Sequence, residues 1–84
     1  MAMNEPLIRA MKLAQAGDWN AAHDIAQDID SPEAARIHAY LHRVEGDDGN
    51  AAYWYRRAGV DFPSVSLDQE WQLIYNCVAG EDAG

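Results

Sequence analysis

The sequence is poor in the features that mark several functional classes. It holds a single cysteine, Cys77, so no intrachain disulfide can form, and a small fold that does without one suits a reducing compartment. Basic residues are scarce: six Lys and Arg stand against fourteen Asp and Glu, for a formal charge of −8. The acids are spread along the whole chain, and their summed field opposes free nucleic acid. No apolar run approaches the roughly 20 residues needed to span a bilayer. The segment Met1 to Arg9 also lacks the basic, apolar and small-residue regions of a secretory signal. These absences predict a cytoplasmic protein without nucleic-acid or membrane partners. There is no phosphate-cradling glycine loop, nucleophile elbow, paired-cysteine metal motif or dinucleotide fingerprint. The expectation is therefore a non-enzymatic protein without a cofactor.

What is present is enough for a folded core. Hydrophobic residues make up 49% of the chain and charged residues 24%, within the range of globular proteins and outside that of disordered ones. A single domain over residues 1–84 is expected. Cys77, among Trp71, Leu73, Ile74, Tyr75 and Val78, is expected to pack as a small, inert hydrophobe.

Apolar spacing is helical throughout, so the predicted class is all-α. Leu7, Ile8, Met11 and Ala14 mark a first helix that starts near Pro6 and stops at Gly17. Asp18 caps a second, with Trp19, Ala22, Ile25, Ala26 and Ile29 on one stripe. Ser31-Pro32-Glu33 combines a cap, a first-turn proline and an acid that complements the helix dipole, and it opens a third helix that runs to about Glu45. The turn from Gly46 to Gly49 leads to a fourth helix, from about Asn50 to Ala58. Ser66 and Gln69 form a capping box for a fifth, Leu67 to Ala79. The polar, glycine-rich end from Gly80 is expected to fray.

The chain also repeats itself. Leu13 to Ala22 and Leu41 to Ala52 share a leucine, a Gly-Asp turn and an Asn-Ala-Ala string, with the register slipping by one residue between them. The second unit, through Ala39, Gly46-Asp47, Ala51, Tyr55, Ala58 and Pro63, resembles a tetratricopeptide or Sel1-type repeat. The first resembles it through Gly17-Asp18-Trp19 and Ala22. The string from His38 to Arg43, followed by Asn50 to Arg57, is similar to a group of small uncharacterised bacterial and fungal proteins, and that likeness implies no activity. The resemblance to the repeat family implies two degenerate tetratricopeptide-like helical hairpins, about 5–29 and 32–58, closed by a capping helix at about 67–79. Where the family carries a large tryptophan, a leucine and a tyrosine, this chain has Ala35, His38 and His42. Two repeats are fewer than the roughly three that usually stabilise a solenoid. Either the fifth helix completes the core, with Trp71 packed against the fourth, or the chain forms a homodimer.

Three constellations are candidates for function. The resemblance implies that Arg36, Tyr40 and Arg43, on one face of the third helix, line a concave groove that binds an acidic or C-terminal peptide segment of another protein. Guanidiniums pair well with carboxylates; the plainer alternative is a solvated stripe. His38 and His42, one turn apart, together with Glu45 offer a metal-ligand set, and His23 joins them if the second helix lies against the third. The plainer alternative has both histidines partly buried and hydrogen-bonded by tyrosine or backbone. Tyr53 and Arg57 share one side of the fourth helix, positioned to stack a ligand, while Ala51, Trp54, Tyr55 and Ala58 face the core. The leading expectation is the peptide-binding module. The alternative is a small-ligand or metal-binding domain built on His23, His38 and His42.

Overall fold

The computed structural model describes residues 4–80. It is all-α, with five helices: α1 Glu5–Gln15, α2 Trp19–Asp28, α3 Pro32–Val44, α4 Asp48–Ala58 and α5 Leu67–Ala79. Pro6 lies in the first turn of α1, where its missing N–H costs nothing. The caps are those the sequence advertises. Asp18 accepts from Ala21 N at 3.2 Å, Ser31 from Ala34 N at 3.1 Å, and Ser66 from Gln69 N at 3.1 Å, with the reciprocal Gln69 contact completing the box. α4 begins earlier than expected, because Asp47 rather than a later residue caps it, accepting from Asn50 N at 3.2 Å.

The repeated Gly-Asp string builds the same turn twice. Gly17 and Gly46 adopt φ of +91° and +86°, a region in which an L side chain is strained. Their N–H groups donate to Ala14 and Arg43, while those of Asp18 and Asp47 donate to the carbonyls of Leu13 and His42, at 2.9 Å in both cases. Each aspartate thus closes one helix with its main chain and opens the next with its side chain.

The main core lies where α1, α2, α3 and α5 meet, around Leu7, Met11, Ile37, Leu41 and Ile74. A smaller cluster of Ala39, Ala51 and Tyr55 joins α3 to α4. Fully buried alanines at 22, 34, 39 and 51 let the helix backbones approach closely.

Helix α5 differs from expectation in its neighbours. It packs on α1 and α3, and it reaches α4 by a side-chain hydrogen bond from Tyr55 to Glu70 rather than by helix packing. Trp71 Nε1 donates to the Met11 carbonyl of α1 at 2.8 Å, and Asn4 N donates to the Val78 carbonyl at 3.2 Å. Ile74 and Val78 are buried by this docking, so α5 completes the main core.

Candidate functional site

All three histidines of the chain converge. His23 comes from α2, and His38 and His42 from α3. Their ring centroids are 4.5 Å apart for His23 and His38, 5.0 Å for His38 and His42, and 5.4 Å for His23 and His42. One nitrogen from each ring lies within 4.8 Å of the other two. The small side chains of Ala22 and Ala26, both buried on α2, allow the two helices to come this close.

Two tryptophans wall the cluster. Trp19, one turn before His23, stacks on it with centroids 4.7 Å apart and planes 13° from parallel. The Trp19 indole is itself pinned to α3 by donating to the Leu41 carbonyl at 2.7 Å. Trp54 of α4 lies on His38 at 3.9 Å and 15°. His38 and His42 are 6% and 7% exposed, as the plainer reading expects, but their partners are different ones. His38 is held by stacking, and His42 Nδ1 meets Glu45 Oε2 at 2.8 Å.

This environment favours the neutral form of His38 and His23. Burial, then the neighbouring His23 and His42, pushes the His38 pKa down to about 4. The His23 pKa is lowered by burial and by His42, against the opposing pull of Asp24 and Glu45. Both rings therefore offer lone pairs at neutral pH. In the tautomer whose Nδ1 donates to Glu45, Nε2 of His42 carries the lone pair open to a metal. A carboxylate behind a histidine in this way is the usual orienting partner of a metal-ligating ring. Glu45 was expected to be a ligand beside His38. It groups instead with His42 and Asp47, and in that second set Asp47 is already engaged in capping α4, so the orienting role suits Glu45 better.

A cavity of about 360 Å³ adjoins the cluster. His38 and Trp54 form part of its wall, together with Asp30 and Ser31 before α3 and Arg57 of α4. The Arg57 guanidinium lies 5.2 Å from the Trp54 ring centroid and donates to the Tyr53 hydroxyl at 3.2 Å. Tyr53 and Arg57 are both exposed, while Ala51 and Tyr55 face the core. Trp54 is only half-buried and faces the histidines.

The expected stripe of Arg36, Tyr40 and Arg43 faces α5, which engages Arg43 directly. Helix α5 runs along that stripe in the opposite direction to α3. Arg36 shares the wall of one small cavity with Cys77 and Val78 near the end of α5, whereas Tyr40, 7% exposed, shares another with Leu67 and Trp71 near its start. Arg43 Nη1 pairs with Glu70 Oε1 at 2.7 Å, and Nη2 donates to the Val65 carbonyl. Cys77 also departs from expectation. It is exposed, because α5 turns Ile74 and Val78 inward and leaves Cys77 on its outer side.

Sequence reasoning missed the second buried polar network. Glu70 is 1% exposed and accepts from Arg43 and, at 2.6 Å, from the Tyr55 hydroxyl. Burial, reinforced by that bond to Glu70, drives the Tyr55 pKa upward, which keeps the phenol protonated. The available signal was a carboxylate one turn before Ile74 on the apolar stripe of α5. Trp19 was placed on the core stripe of α2, and its spacing of four from His23 was the sign that the two would stack.

No family model matches the chain, and no curated protein or solved structure matches it either.

Proposed function

We propose that this protein is a metal-binding domain in which His23, His38 and His42 ligate one divalent transition-metal ion of the zinc class. The observation that carries the reading is the convergence of three imidazole nitrogens within 4.8 Å. Imidazole donors suit Zn²⁺, Cu²⁺, Ni²⁺ and Co²⁺ rather than Ca²⁺ or Mg²⁺. Tetrahedral Zn–N bonds of about 2.0–2.1 Å place ligand nitrogens about 3.3 Å apart. The widest pair, within 4.8 Å, therefore has to close by no more than about 1.5 Å, a movement of side-chain size.

Three further features support it. His42 carries its carboxylate behind Nδ1, as metal-bound rings generally do. The lowered pKa values of His23 and His38 remove most proton competition for the lone pairs at neutral pH. The net charge of −8 draws cations toward the molecule.

Metal analysis of protein purified without a polyhistidine tag tests the reading. One equivalent of zinc, or of an added substitute, is expected, and zinc at 100 times its Kd should stabilise the fold by about 2.7 kcal/mol. Absence of stoichiometric binding, together with a Tm that added zinc leaves unchanged, would rule the reading out.

A further inference from the structure

The cavity beside the histidines has a wall whose formal charges cancel: Asp30 and Arg57 are its two formally charged lining residues. A divalent ion on the three imidazoles changes that balance and makes the cavity cationic. Three nitrogen ligands also leave a tetrahedral ion one position short, the arrangement of metal sites that accept an exogenous ligand. His38 belongs both to the donor set and to the cavity wall, so it is the ligand that links the ion to this space.

Arg57 supplies a second attachment point. Trp54 relays the distance, with its ring 3.9 Å from that of His38 and 5.2 Å from the Arg57 guanidinium carbon, so the guanidinium and the His38 ring are at most about 9 Å apart. Among the described residues the guanidinium has no carboxylate partner. Its one side-chain hydrogen bond goes to the Tyr53 hydroxyl, and its remaining donors suit the paired oxygens of a carboxylate. At about 360 Å³, the cavity lies at the lower end of the size range of small-molecule sites.

From these observations, and resting on the metal reading above, we infer that the loaded protein binds a short dicarboxylate, one carboxylate on the metal and the other on Arg57. No bond is made or broken in the ligand. One carboxylate oxygen replaces water on the ion, and the second carboxylate replaces water at the guanidinium. The metal-free protein, with a near-neutral cavity, does not retain the ligand.

Cobalt(II) provides both the ion and the readout, because its visible bands respond to a change of ligand. The untagged, Co²⁺-loaded protein is titrated with succinate, and acetate and inorganic phosphate are run separately. Succinate should shift the bands saturably. The Arg57→Gln variant should bind Co²⁺ unchanged but succinate about tenfold or more weakly, the loss of a charge-assisted pair. Acetate, which cannot reach both points, should bind more weakly than succinate and be indifferent to that substitution. If Co²⁺ bands form but succinate leaves them unchanged, the inference fails while the metal reading stands. Equal succinate affinity in the variant, or phosphate binding tighter than succinate, also overturns the inference. Calorimetric binding of succinate to the metal-free protein would overturn its dependence on the ion. If no Co²⁺ bands form at all, both fall together.

Discussion

Trp54 lies flat on His38, ring centroids 3.9 Å apart, and so places an indole directly against a candidate metal ligand. Trp19 does the same for His23, whereas Trp71 stacks on Tyr75 beside α1, away from the cluster. Titration with Cu²⁺ should therefore quench most of the emission of Trp19 and Trp54. A variant carrying Trp19→Phe and Trp54→Phe should keep a Trp71 signal that one equivalent of Cu²⁺ barely alters. Loss of the response on Trp71→Phe instead would place the metal elsewhere.

The hydrogen bond from His42 to Glu45 separates orientation from ligation. Replacing Glu45 by Gln keeps the shape and removes the charge behind the ring. Zinc affinity, measured by competition with a chelating dye, should fall about 10- to 100-fold. Thermal stability of the metal-free protein should change little, since Glu45 is exposed.

Glu70 serves the fold and not the site. Its two oxygens hold Arg43 and Tyr55, joining α5 to α3 and α4. Glu70→Gln leaves a largely buried guanidinium without its counter-charge and should cost about 3–5 kcal/mol in urea unfolding. Tyr55→Phe removes one hydrogen bond to a charged group and should cost about 1.5–3 kcal/mol. Metal affinity of the folded fraction should be unchanged in both variants.

The His38 pKa, about 4 in the folded chain against 6.5 for the free side chain, gives the metal-free protein a pH-dependent stability. The unfolded chain binds more protons between these values, so the contribution is complete above pH 6.5 and is lost as pH falls toward 4. His23 acts with the same sign. In chelator, Tm should begin to drop below pH 6.5, before the carboxylates titrate. The His38→Phe variant, which keeps an aromatic ring against Trp54, should show a shallower decline.

Local chemistry made most of the fold legible in the sequence. Ser31-Pro32, Ser66 with Gln69, and the two Gly-Asp turns act within a few residues of themselves, and the helices begin and end by them. The i, i+4 spacing showed His38 and His42 sharing a face, but His23 joins them only through the packing of α2 on α3. The same limit hid the fate of Arg43. Its helix face was readable, while its partner Glu70 lies 27 positions away on a helix whose placement no local rule specifies. Cys77 shows the converse: apolar neighbours in sequence said nothing about which way α5 would turn.

The pairing of Arg43 with Glu70 removes one charge of each sign from the surface, so the full formal excess of −8 falls on the remaining groups. Those groups repel one another, and added electrolyte screens them over a Debye length of about 8 Å at physiological ionic strength. Raising salt should therefore stabilise the metal-free chain against heat. It should also weaken the long-range attraction for an incoming cation, so fold stability and the rate of metal uptake should respond to ionic strength in opposite directions.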